Sequence, residues 1–242
     1  DADEVWIWKE VDGVMTADPK IVSEAKTIPE ISYAEVMELA YFGAKVLHPL
    51  TVTPVQSKGI PIRIKNAFKP EHPGTLVTAS PKNHKVVKAI TAIRKTAIIT
   101  TGGAGMVGVP SVVERVFSAL SRKDVDVLMI SQSSSMANIS MVVQKRNLET
   151  ALQALKEEFK ENDVVREITV QDNVGVVAVV GEGMKGTPGV AAKVFSAVAE
   201  KGINILMIAQ GSSELNISFA IEEKDVDEAV RTIHKAFQLD SS

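Results

Sequence analysis

Short runs of β-branched residues alternate along this chain with stretches whose apolar positions recur every three or four residues. Val174–Val180 and Asn204–Ile208, bounded by Gly and Ser, predict strands. Val190, Val194, Phe195 and Val198 fall on one stripe of a helix. Thr187 and Pro188 supply an N-cap and a first helical residue for it, and Gly202 suits its C′ position. Asp225 and Glu228 have capping-box spacing ahead of Ala229, Val230 and Ile233. Nearer the start, the apolar run Val5–Trp8 is bounded by charge and predicts a buried strand. Ser32 and Glu35 form a second capping box, with Ile31 placed to staple onto Val36, and open a helix running to about Phe42. Beyond Gly43 the pattern predicts another helical stretch to Gly59, a strand over Ile60–Lys65, a turn over Lys69–Gly74 and a short strand at Thr75–Val77. Pro81–Lys85 reads as a linker.

The second half repeats itself. Gly105, Met106, Gly108 and Pro110 return as Gly183, Met184, Gly186 and Pro188, a constant offset of 78 residues. At the same offset Val116-Phe-Ser-Ala becomes Val194-Phe-Ser-Ala, Leu128-Met-Ile becomes Leu206-Met-Ile, and Asn138-Ile-Ser becomes Asn216-Ile-Ser. Upstream, Val86-Val-Lys-Ala-Ile-Thr matches Val164-Val-Arg-Glu-Ile-Thr. Two copies are too few for a solenoid and predict a tandem pair of small domains. Each copy reads strand, strand, helix, strand, strand, helix, yet the second ends without the closing strand that a four-stranded βαββαβ sheet needs. The spare strand is Val86–Ile93. We therefore expect repeat one to be inserted into repeat two, with 86–93 closing the second sheet and 164–171 the first. The expected division is 1–80, then 94–171, then 86–93 together with 172–242.

Composition narrows the function classes. A chain of 242 residues with 45% hydrophobic and 24% charged residues is ordinary for a globular protein of two or three units. A net charge of −3 with scattered Lys and Arg argues against a nucleic-acid surface, and no apolar run reaches the ~18 residues of a membrane span. The absence of cysteine removes thiolate chemistry and disulfides and fits a cytoplasmic protein. His48, His72, His84 and His234 lack ligand spacing, so no metal site is expected among them. The chain enters a strand almost at once, which leads us to expect a piece of a longer parent.

Asp12-Gly13 and Asp18-Pro19 mark turns just beyond the C-terminal end of the first strand, the position where open α/β sheets bind ligands. Trp8–Lys20 resembles the nucleotide-binding segment of aspartate kinases, and Glu30–Pro49, with its Tyr-Phe-Gly-Ala-Lys-Val-Leu-His-Pro string, is similar to the stretch that follows it in that family. Ile60–Asn66 and Pro73–Val77 continue the likeness, and the doubled unit resembles the paired ACT domains of the family. The resemblance covers nearly the whole chain. It implies the C-terminal part of an amino-acid-kinase α/β domain followed by two interlocked ferredoxin-like (α+β) ACT domains.

It further implies a parent that transfers the γ-phosphoryl group of ATP, with Mg²⁺, to the β-carboxylate of L-aspartate. Lys9, Glu10, Met15, Lys20, Lys45 and Val46 would be nucleotide contacts, Lys45 approaching the phosphates, where a cation stabilises transferred charge. Lys9-Glu10, Met15 and Lys20 stand where many members carry Thr-Asp, tyrosine and arginine, so ring stacking at 15 and a bidentate fork at 20 are lost. The family's catalytic motifs have no counterpart here, so no catalytic residue is assigned and this piece alone is expected to be inactive.

Gly103–Gly108 and Gly181–Gly186 both satisfy GxGxxG between a strand and a helix, the dinucleotide fingerprint. The short polar turn Ser133–Met136 implies an antiparallel hairpin instead of a parallel crossover, and Asp126 lies at the wrong end of its strand to hold a ribose. An amino-acid site fits better. Backbone N–H groups at Gly105, Met106 and Gly108 can receive a carboxylate, and Gln132, Ser134, Asn138 and Gln210 offer donors and acceptors. In threonine-regulated members, glutamines matching Gln132 and Gln210 look like effector contacts. Asp124, Asp126 or Glu214 could instead hold the ammonium of lysine, so both effectors stand. The resemblance also implies a homo-oligomer joined through ACT domains. The competing class is a non-catalytic amino-acid-sensing regulatory subunit, against which residues 1–80 weigh.

Overall fold

A computed structural model describes residues 2–44, 47–82, 85–134, 137–160 and 164–241. Its first unit is a small mixed sheet. Strand β1 (Val5–Lys9) pairs in parallel with β3 (Ile62–Asn66), β3 runs antiparallel to β4 (Thr75–Thr78), and β4 is parallel to β2 (Glu30–Ser32). Two helices, α1 (Tyr33–Tyr41) and α2 (Pro49–Gln56), complete it. The expected capping box forms in full: the Glu35 N–H donates to the Ser32 hydroxyl at 3.2 Å and the Ser32 N–H to the Glu35 carboxylate at 2.9 Å. Ile31 and Val36 are buried in the same core.

Strand β1 is not buried as its apolar run suggests. It has a single partner strand, and Trp6 and Trp8 lie on its open face, 52% and 45% exposed. Their rings meet edge to face, with the Lys65 ammonium 5.0 Å above Trp6. Aromatic side chains here cover one another and a lysine stem, which is why the hydrophobic run misleads.

The two repeats share one six-stranded antiparallel sheet. Its order is β6 (Val127–Gln132), β7 (Asn138–Gln144), β5 (Ala89–Gly102), β8 (Glu167–Val180), β10 (Asn216–Glu222) and β9 (Ile205–Ala209). The central strands β5 and β8, 14 residues each, run through both repeats. Residues 89–93 of β5 pair with 176–180 of β8 beside β10, whereas 98–102 pair with 167–171 beside β7. Each repeat is thus closed by a strand from outside it, and the domains interlock. The strand before repeat one and the first strand of repeat one merge into β5. The junction is marked by a break in register and by left-handed backbone at Lys95 (φ 55°) and its repeat mate Asn173 (φ 55°).

Helices α3 (Pro110–Ser121) and α4 (Leu148–Glu158) cover the sheet in repeat one, and α5 (Val190–Ala199) and α6 (Val226–Ala236) in repeat two. Val116, Leu120, Ala151 and Leu155 fill the first core; Val194, Val198, Val230 and Ile233 fill the second. Each fully buried Val, Leu or Ile contributes about 1.5–3 kcal/mol, so these side chains, two from each helix, hold the helices without help from caps. The caps in fact depart from expectation. Helix α5 starts at Val190 behind left-handed Gly189 (φ 85°), while the Thr187 hydroxyl turns back to the Gly183 carbonyl at 2.7 Å. Asp225 makes no side-chain cap because a tight turn over Glu223–Asp225 precedes α6, and Glu228 instead pairs with Lys201 at 3.1 Å and Arg231 at 3.2 Å.

The opposite face of the sheet is concave. Its outer strands β6 and β9 approach each other, and Phe42, just after α1, packs among Ile93, Ile98, Met129, Val176, Met207 and Ala220. The first unit is therefore plugged into the mouth of the paired repeats. No helix among the described residues is long and apolar enough to cross a membrane.

Candidate functional site

The first group of expected site residues lies on the loop that leaves β1. Lys9 ends the strand and lines a cleft of about 610 Å³ with Tyr41, Gly43, His48, Asp126 and Leu128. Glu10 and Lys20 are exposed. The Lys20 N–H is held by the Asp18 carboxylate at 2.9 Å in the turn foreseen there. Met15 is half-buried, bridges to Thr27 and accepts the Thr27 hydroxyl on sulfur at 3.4 Å. Among the described residues, the side chains of Lys9, Glu10 and Lys20 make no hydrogen bond or ion pair; Glu10 and Lys20 are exposed, whereas Lys9 is half-buried in the cleft. Lys45 and Val46 lie outside the described residues.

Asp12, already marked by its turn, and two neighbours that sequence reasoning passed over, Asn66 and Thr75, give this loop its shape. Asp12 accepts from the Asn66 amide at 2.6 Å and from Lys69 at 3.2 Å, and these bonds, Asn66 first, hold its carboxyl below the usual range. Thr75, buried, receives the Val14 N–H at 2.8 Å and donates to the Ile28 carbonyl at 2.6 Å. The turn signals at Asp12-Gly13 announced a loop; only the fold shows that Asn66, at the end of β3, and Thr75, on β4, tie its base.

The second group surrounds the two glycine loops. In repeat one the loop 103–108 and the β6–β7 hairpin share one end of the sheet: Gly102 pairs with Asn138, the Gly103 N–H donates to the Ala137 carbonyl at 3.1 Å, and Gln132 pairs with Ile139. Gly105, Gly108, Gln132 and Ser134 are exposed there. Met106, 1% exposed, is packed in the core of the repeat, and Asn138 closes the hairpin, its N–H on the Ser133 hydroxyl at 3.4 Å. Gln210 occupies the matching place in repeat two, also exposed. Both loops pass so close to a neighbouring chain segment that only glycine fits. A Cβ at Gly103 would stand 2.5 Å from the Val164 carbonyl oxygen, and one at Gly181 2.3 Å from that of Val86.

The two loops differ in what their N–H groups meet. In repeat two, the Glu182 N–H donates to the Glu35 carboxylate at 2.7 Å and the Gly186 N–H to the Glu214 carboxylate at 2.9 Å. The repeat mates of these donors are Ala104 and Gly108, whose N–H groups have no protein acceptor among the described residues. Position 136, the mate of Glu214, is methionine and lies outside the described residues. One loop is therefore filled by carboxylates of the chain itself, whereas among the described residues no carboxylate meets the matching N–H groups of the other.

Glu35 does more than cap α1. Fully buried, it also pairs with Lys88, itself 3% exposed, at 2.8 Å. A second buried polar pair joins Thr16 to His234 at 2.9 Å. Both fasten the first unit to repeat two, whereas repeat one receives the Tyr41 hydroxyl on the Val127 carbonyl at 3.0 Å. The sequence did carry signals for these pairs: a basic residue at the same repeat position (Lys88, Arg166), and a histidine on the apolar stripe of α6 next to Ile233.

The amino acid kinase family model matches residues 1–66, and the ACT domain model matches 99–159 and 177–237. A bifunctional aspartokinase/homoserine dehydrogenase of Haemophilus influenzae is 42% identical over 95% of this chain, which spans 29% of that protein. The solved aspartate kinase of Clostridium acetobutylicum superposes with a TM-score of 0.89 at 35% identity, over 98% of this chain and 55% of its own. Aspartokinase III of E. coli, in complex with lysine and aspartate, superposes with a TM-score of 0.82 at 30% identity, over 98% and 52%.

Proposed function

Because the chain belongs to the aspartate kinase family, we propose that it forms the nucleotide-contacting end and the regulatory unit of an enzyme that phosphorylates L-aspartate on its β-carboxylate. ATP with Mg²⁺ supplies the phosphoryl group when bound. Lys9, half-buried in the cleft, and exposed Lys20 are cations that suit the phosphates, and half-buried Met15 suits an apolar ring. An oxygen-seeking cation such as Mg²⁺ would ride on the phosphates, since the described residues offer Asp12 already bonded to Asn66 and Lys69.

Feedback by an amino acid is assigned to the loop of repeat one. The observation that carries it is the contrast between the loops: the N–H groups that hold Glu35 and Glu214 in repeat two meet no carboxylate among the described residues in repeat one. A free amino acid supplies one. Threonine is favoured over lysine by the position of the acids. Asp124 and Asp126 precede β6, while Gln132 ends it about 20 Å away, and Glu214 is engaged by Gly186. Gln132 and Ser134 offer the neutral donors and acceptors that a hydroxyl needs. The outer strands, with Ile130 and Ile208 each 47% exposed, suit association of copies edge to edge. A purely regulatory subunit is disfavoured by the kinase-family match at residues 1–66.

The test is aspartate-dependent ATP turnover by the full-length protein, with threonine or lysine added. Turnover inhibited by threonine supports the reading, inhibition by lysine alone overturns the effector choice, and no turnover overturns the kinase.

A further inference from the structure

We infer that His234 is a positioning residue for the nucleotide segment, holding residues 14–28 in place through Thr16 although it lies on the last helix of repeat two. This inference rests on the kinase reading above.

The link is a buried hydrogen bond between residues 218 apart in sequence. Thr16 and His234 are 7% and 2% exposed. The polar groups of Thr16 are all accounted for. Its hydroxyl accepts the Lys26 N–H at 3.0 Å, its own N–H donates to the Lys26 carbonyl at 2.9 Å, and its carbonyl accepts the Ile90 N–H at 2.9 Å. Nε2 of His234 lies 2.9 Å from the same hydroxyl, and in the neutral tautomer with its proton on Nδ1 it accepts the hydroxyl proton. Thr16 is thus the knot that closes the neck of the loop between Met15 and Thr27 and ties that neck to α6.

Packing runs along the same line. Ala17 and Val22, with Ile21 and Ala25 beside them, share one core with Val226, Val230 and Ile233 of α6. The flanking positions Met15 and Lys20 are the proposed nucleotide contacts, so the loop's inner face belongs to repeat two and its outer face to the nucleotide. A buried hydroxyl that loses its acceptor favours states in which the loop leaves α6 and meets water. Nucleotide then binds a smaller competent fraction, and its apparent affinity falls by that fraction while the bound complex is unchanged.

Two readouts test this. The first is amide hydrogen exchange on the 242-residue chain. His234→Leu keeps an apolar volume but no acceptor and is expected to speed exchange at amides 14–28 by about tenfold, with amides of α3 unchanged. His234→Gln, which restores an acceptor, should return the wild-type rates. Thr16→Val removes the hydroxyl alone and should match His234→Leu, and combining the two should add nothing. Wild-type exchange in both His234→Leu and Thr16→Val would overturn the inference. The second readout is ATP kinetics of the full-length protein. His234→Leu should raise the KM for ATP on the order of tenfold with kcat within about twofold, and His234→Gln should restore it. An unchanged KM in an active His234→Leu enzyme overturns the inference and leaves the kinase reading standing. A wild-type protein without ATP turnover removes the kinase reading and this inference with it.

Discussion

Glu35 and Lys88 form an ion pair sealed from solvent, 2.8 Å apart, between the first helix of the kinase segment and the strand that closes repeat two. The carboxylate is fully used: Lys88 and the Ser32 N–H share one oxygen, and the Glu182 N–H takes the other. A buried pair of this kind adds little over a well-packed apolar pair, but removing one partner strands the other charge. Its value here is alignment, because the same carboxylate caps α1 and fixes the glycine loop of repeat two.

Lys88→Met should therefore destabilise the chain by about 3–5 kcal/mol, read as a lower denaturant midpoint. Glu35→Gln combined with Lys88→Met should recover part of that loss, since no buried charge then remains. A Lys88→Met chain as stable as wild type would show that the pair is wetter than its geometry implies.

Stability should also fall in mild acid through His234. Burial holds its imidazole below the usual value, against the opposing pull of the Asp240 and Glu24 carboxylates. A depressed folded value means that the unfolded chain binds the proton more readily. The contribution is complete above about pH 6.5, the unfolded value, declines as pH drops below it, and levels off once the pH is under the folded value. Denaturant midpoints measured from pH 8 downward should show this slope in wild type and lose it in His234→Gln.

The helical stripe of repeat two supplies a packing test. Ile233 is fully buried between α6 and the sheet, whereas Ile130 is 47% exposed on an outer strand. Ile233→Ala should cost about 2–5 kcal/mol of unfolding free energy, and Ile130→Ala about 0.5 kcal/mol or less, both read from denaturant titrations. Equal effects would mean that β6 is covered in solution.

Much of this architecture was legible in the chain because its signals are local. The capping box of Ser32 and Glu35, the apolar stripe of Val190–Val198 and the offset of 78 residues need no tertiary knowledge. The interlock was legible for a different reason: a strand was missing at one end and spare at the other. What escaped depends on partners distant in sequence. The basic residue repeated at Lys88 and Arg166 and the histidine on the apolar stripe of α6 mark polar groups in apolar settings, but nothing near Glu35 or Thr16 names them as its partners. Trp6 and Trp8 were misjudged because burial of a strand depends on which faces find neighbours, not on its own composition.

In repeat two the loop is filled by carboxylates of the chain, and in repeat one, among the described residues, it is not; calorimetric titration of the 242-residue chain with threonine, then lysine, tests that contrast directly. The predicted result is saturable threonine heat with one site per chain, lost in Gln132→Ala, and none from lysine. Two equal sites, lysine heat alone, or full threonine binding by Gln132→Ala would contradict it.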